Sequence, residues 1–121
     1  MDSIRFQRPS GSKEPVKFEE PIAVYVRGGG FLIYKKRDTG INLGWSGTPK
    51  YEWKMLGGNA GSEVPTMKQV GLFNMVENDS VMYEPRDWGI NLKWFKDSGK
   101  YDSLSSLIRA GKTVKDVWDS F

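Results

Sequence analysis

Arg37-Asp38-Thr39-Gly40-Ile41-Asn42-Leu43-Gly44-Trp45 returns 49 positions later as Arg86-Asp87-Trp88-Gly89-Ile90-Asn91-Leu92-Lys93-Trp94, with seven of nine residues unchanged. Each copy reads as a tight turn feeding a strand. Asp tolerates turn conformations and bonds to the backbone just ahead of it, and Gly supplies the left-handed residue. Beyond the turn, Ile41, Leu43 and Trp45 alternate with Asn42 and Gly44. A period of two predicts a half-buried strand with the apolar row on the core side.

Working outward, the flanks repeat as well. Ile22 to Val26 and Phe31 to Tyr34 are short apolar runs separated by Arg27-Gly28-Gly29-Gly30, a strand, a turn and a second strand. Tyr51-Glu52-Trp53-Lys54-Met55 alternates again and reads as a fourth strand. After a loop at 57–65 rich in Gly, Asn and Ser, the pattern resumes with Val70 to Met75, a turn through Glu77-Asn78-Asp79, Val81 to Tyr83, and Ile90 to Trp94. Lys50-Tyr51 recurs as Lys100-Tyr101, now 50 apart, which marks a one-residue insertion. The predicted fold is mainly β: two tandem β-meanders, repeat one at 21–56 and repeat two at 69–101, forming a sandwich or small barrel with pseudo-twofold symmetry.

The two ends differ from this frame. Residues 1–18 are polar and rich in Ser, Gly, Pro and charge, and are predicted to be a flexible arm preceding a single β-rich domain at 19–121. Ile4 and Phe6 offer an edge strand as the alternative. At the other end Leu104, Leu107, Ile108, Val114, Val117, Trp118 and Phe121 recur at three- and four-residue spacing. That predicts an amphipathic α-helix over 103–120, with Asp102 or Ser103 as its N-cap.

Composition narrows the function. The chain has 121 residues, 13% of them aromatic, no cysteine and no histidine. Triads built on His or Cys are therefore impossible, and zinc sites lack their usual ligands. No disulfide can form, which suits a reducing compartment. No catalytic set, metal or cofactor is expected. The N-terminus has no apolar leader core and no run approaches 18 apolar residues, so a cytoplasmic location, or export without a recognisable leader, is expected and a transmembrane segment is not.

Charge is uneven on the common frame. Residues 21–69 carry seven positive and three negative side chains, whereas residues 70–103 carry four positive and six negative. Opposite net charge on related units would allow head-to-tail contacts and a homo-oligomer.

The candidate binding residues come from the repeated turn. Asp38 and Asp87 are accounted for by turn chemistry. Arg37, Arg86, Asn42 and Asn91 are less well accounted for, because Asn is depleted in strands. Either they form a polar recognition surface, or the two Asn make cross-strand hydrogen bonds. Trp88 replaces Thr39 at the second turn. A turn-tip Trp beside Arg, Asp and Asn supplies the flat apolar face and planar polar partners that grip a sugar ring. The leading expectation is a non-enzymatic, lectin-like carbohydrate-binding module using Arg37, Asp38, Asn42, Arg86, Asp87, Trp88 and Asn91. A protein-interaction module, such as an inhibitor or defence protein, is the first alternative. Single-stranded nucleic-acid binding is the second, through the basic patch Lys35, Lys36, Lys50 and Lys54 with Tyr34, Tyr51 and Trp53 interleaved.

Overall fold

A computed structural model of the chain describes residues 4–26, 29–38, 41–65, 69–84, 92–95 and 102–103. Those residues form two antiparallel sheets and no helix. The first sheet has the order β1 (Ile4–Gln7), β2 (Ala23–Val26), β3 (Gly30–Tyr34), β4 (Leu43–Ser46). The second has the order β5 (Trp53–Leu56), β6 (Gln69–Asn74), β7 (Asp79–Tyr83), β8 (Leu92–Phe95), and the two-residue β9 (Asp102–Ser103) pairs with the start of β6.

Residues 4–7 take the edge-strand alternative. Ile4 lies opposite Val26 and Gln7 opposite Ala23. The polar N-terminal segment also delivers Phe18 to the core, only 3% exposed. Its backbone runs on beside β5: the Glu19 N–H donates to Met55 O, and Ile22 and Trp53 exchange both backbone hydrogen bonds, at 2.8 and 3.2 Å. Burying a side chain the size of Phe contributes about 1.5–3 kcal/mol, enough to fix a chain that its polar composition alone would leave loose.

The expected fourth strand of the first meander is found elsewhere. Trp53–Leu56 does not join β4; it pairs with β6 and opens the second sheet. Alternation shows that this strand has an apolar face but not which neighbour it will pair with. Asp102–Ser103, read as a helix N-cap, is extended and paired to Gln69 and Val70. The rest of the predicted helix, 104–120, lies outside the described residues.

The two sheets share one core. Val24, Leu32 and Leu43 from the first pack with Trp53, Met55, Leu72, Val81 and Leu92 from the second, closed by Phe18 and Ile22. Trp53 is fully buried, and its indole N–H crosses between the sheets to donate to Leu32 O at 2.8 Å. Its ring stacks on Trp94, with centroids 6.1 Å apart, and Trp94 meets Tyr34 edge-on at 6.3 Å. Buried indole N–H groups need an acceptor, and here the acceptor fixes the distance between the layers.

A carboxylate ties the same junction. Glu52 Oε2 accepts from the Tyr34 N–H at 3.0 Å and from Asn74 Nδ2 at 2.8 Å, one donor from each sheet. Asn74 is completely buried, and its Oδ1 accepts the N–H groups of Val76 and Glu77. One side chain thus anchors the sheet junction and shapes the β6–β7 turn, where Asn78 takes a positive φ of 63°.

Candidate functional site

The outer face of the first sheet gathers cations and aromatic rings that lie far apart in sequence. Register places Arg5 opposite Tyr25, Tyr25 opposite Phe31, and Phe31 opposite Ser46. Leu32 and Val24, at the alternate positions, are in the core, so this row faces away from it. The Arg5 guanidinium sits 4.8 Å above the Tyr25 ring, and Tyr25 meets Phe31 edge-to-face at 5.2 Å. A cation over an aromatic face is worth about 0.5–1 kcal/mol at an exposed site. The stack therefore holds Arg5 in place with no carboxylate partner among the described residues.

A groove of about 630 Å³ opens over this row, lined by Arg5, Phe6, Gln7, Tyr25 and Phe31, with Gly11, Ser12 and Lys13 as its wall. The wall is built by the loop after β1. The Gly11 N–H closes a turn onto Arg8 O at 2.9 Å, with Gly11 at φ +74°. The Arg8 guanidinium is pinned by the Glu20 carboxylate at 3.0 Å and donates to Ser12 Oγ at 3.3 Å. Glu20 in turn accepts the Lys17 N–H at 2.8 Å. Lys13 and Arg5 are exposed. None of the groove-lining residues carries a negative charge.

The same face continues to the first repeated turn. A Cβ built on Gly44 would come within 2.7 Å of Lys35 Cδ and 3.4 Å of Arg37 Nη2, so both side chains lie across Gly44 on the outer side of the sheet. That cover explains why Gly44 is buried even though it faces away from the core. Within the turn, the Arg37 N–H donates to Asn42 Oδ1 at 2.8 Å, and Arg37 Nε donates to Leu43 O at 2.6 Å. Asn42 therefore closes its own hairpin, as a local hydrogen bond rather than a cross-strand one. Asp38, Lys35 and Lys36 are exposed there. Arg86, Asp87, Trp88 and Asn91, the second-copy candidates, lie outside the described residues.

The expected basic patch is divided. Lys35, Lys36 and Lys50 are exposed, whereas Lys54 lies on the second sheet with its Nζ 5.3 Å from the Phe73 ring centre. Of the aromatics read as interleaved with it, Trp53 is in the core, Tyr34 packs on Trp94, and Tyr51 accepts a hydrogen bond from Gln7 Nε2 at 3.1 Å. Trp53 is thus withdrawn from the surface, whereas Tyr34 and Tyr51 are partly buried. Tyr25 and Phe31 add two rings on the outer face of the first sheet. Their signal in the sequence was slight: Tyr25 is the one residue of Ala23–Val26 with a polar tip, at the position that alternation turns outward.

A second cavity, about 560 Å³, lies between β1 and the loop after β5, lined by Phe6, Pro15, Val16, Met55, Val64, Pro65 and a single carboxylate, Glu63. It offers few polar groups to orient a ligand. Among the described residues no group of three carboxylates is placed to hold a metal ion, and no helix is long and apolar enough to cross a membrane. No protein-family model, curated protein or solved structure matches the chain.

Proposed function

We propose that this chain is a non-enzymatic, lectin-like module that binds carbohydrate across the outer face of its first sheet. The reading is carried by one observation: a groove floored by Tyr25 and Phe31 and flanked by Arg5, Gln7 and Lys13. An aromatic face covers the apolar side of a sugar ring, and guanidinium, amide and ammonium donors meet its hydroxyls or carboxylates. Lys35 of the basic patch and Arg37 of the repeated turn extend the same face, so a longer oligosaccharide would run from Lys13 toward Asp38.

The proposed scaffold is a sandwich of two related meanders. Its support is the register. The pairs Phe31↔Ser46, Leu32↔Trp45, Ile33↔Gly44 and Tyr34↔Leu43 become the β7–β8 pairs when every number is raised by 49. β1 maps onto β5 by the same shift. The unit of duplication would then be one whole sheet rather than the 21–56 and 69–101 meanders.

The cations support a second reading, single-stranded nucleic acid, since rings plus a positive groove also hold bases and phosphates. An array of neutral and uronate-bearing oligosaccharides, run beside homopolymeric oligonucleotides, separates the two. Saccharide binding that is lost in Tyr25→Ala supports the carbohydrate reading. Oligonucleotide binding that falls steeply with salt, with no saccharide retained, replaces it.

A further inference from the structure

We propose that the free edge of β1 is a docking site for an extended segment of a partner protein in which acidic and apolar residues alternate. The site does not depend on the carbohydrate reading. β1 is the end strand of the first sheet, with β2 as its one neighbour there. An end strand points a row of backbone N–H and C=O groups away from its sheet. Among the described residues, no backbone hydrogen bond reaches that side of β1. β5 is the end strand of the second sheet, and its edge is covered. The Glu19 N–H donates to Met55 O, and Ile22 exchanges two hydrogen bonds with Trp53. The covering segment, 18–22, sets Phe18 and Ile22 in the core and leaves Glu19 exposed. One edge of the molecule thus shows the kind of chain, apolar and acidic by turns, that suits the other.

Two grooves meet at β1, one on each face of the sheet, and Phe6 lines both. The outer groove holds Arg5 and Lys13, with no carboxylate among its lining residues. The inner one is walled by Phe6, Val16, Met55, Val64 and Pro65. In a strand laid along β1, successive side chains point to opposite faces. Every second residue enters the outer groove, where Arg5 and Lys13 meet a carboxylate. The residues between enter the inner groove, where apolar side chains gain most from burial. Glu63 stands at the inner groove and repels an acid there, which fixes the side that each set takes. Hydrogen bonds along the edge give affinity, and the two grooves select the side chains. A second copy of β1 is a poorer occupant, because Arg5 would approach its own symmetry mate.

The test is fluorescence anisotropy of an end-blocked, labelled heptapeptide, Glu-Val-Glu-Phe-Glu-Val-Glu, titrated with the full chain. Binding is expected, and it should weaken about tenfold when Lys replaces each Glu or Ser replaces each apolar residue. Arg5→Glu and Lys13→Glu, both at exposed positions, should each weaken it about tenfold, with urea melts confirming that the variants are folded. Two further peptides carry N-methyl groups on the odd or on the even residues. Alternate N–H groups of a strand serve opposite edges, so one of the two should bind like the parent and the other should not. Equal loss or equal retention in the methylated pair overturns the edge site. So does a lysine peptide that binds as well as the parent, or an affinity that neither protein variant changes. A parent peptide that fails to bind overturns it too, and a dimer in sedimentation equilibrium would then give the edge to a second copy. The saccharide array reads the carbohydrate site separately, so either reading can fail without the other.

Discussion

Glu52→Ala tests the junction that holds the two sheets in place beneath the groove. The Glu52 carboxylate accepts one hydrogen bond from Tyr34 N–H and one from Asn74 Nδ2. A hydrogen bond to an ionised group is worth about 1.5–3 kcal/mol net, so two set an upper bound of about 3–6 kcal/mol. Glu52 is only partly buried, and water entering the gap would satisfy part of the Tyr34 amide. Asn74 is fully buried, and its stranded amide keeps most of its penalty. The expected loss is about 2–4 kcal/mol. Glu52→Gln keeps an acceptor oxygen and loses the charge, for an expected loss of about 1 kcal/mol, since only the charge-assisted increment disappears. Urea unfolding followed by tryptophan fluorescence measures both, with the loss appearing in the midpoint at constant m-value. In a domain of this size each kcal/mol moves Tm by about 4 °C. A Glu52→Ala midpoint within 0.5 kcal/mol of wild type, a margin ordinary for surface substitutions, would show that the carboxylate does not tie the sheets together.

Trp53→Phe removes the indole donor to Leu32 O and part of the Trp94 stack, and should cost about 1–3 kcal/mol in the same assay. Gly58→Ala would drive a Cβ into the Phe18 ring, which is itself buried, so overpacking should destabilise by about 1–3 kcal/mol; an unchanged midpoint would mean that Phe18 is not seated there. Arg5→Ala, on an exposed edge, should cost no more than about 1 kcal/mol of stability, the worth of its contact with the Tyr25 ring, yet weaken binding to a uronate-bearing hexasaccharide about tenfold, as read by titration calorimetry, in line with a single lost charge-assisted contact. Raising salt from 50 to 200 mM should reduce that binding only a few-fold, because one or two cations meet the ligand rather than the six to ten of a nucleic-acid interface.

Much of the strand framework is legible in the residues themselves. Alternation over Leu43 to Trp45 and the repeated turn place β4 and β8, and the short apolar runs place β2, β3, β6 and β7. The half-buried Asn42 was legible as an anomaly, and its partner turned out to be the Arg37 amide in its own turn. The groove was not legible. Arg5 and Tyr25 are 20 positions apart and become neighbours only because β1 pairs with β2. No local pattern states that pairing, since a polar stretch with two apolar residues serves equally as an arm or an edge strand.

By itself, then, the sequence determined the strand type over much of the frame, the repeated residue pattern and the absence of His and Cys. These follow from side-chain periodicity, backbone preferences and composition, all of which act within a few residues. Only the tertiary structure decided that Trp53–Leu56 begins the second sheet, that Phe18 anchors the N-terminal segment, and that Tyr25, Phe31 and Arg5 share one face. The physical reason is that an apolar face needs burial but does not name its partner. Which strand edge it meets depends on the packing of the whole core around Trp53, where one indole hydrogen bond and one carboxylate fix how the two sheets meet.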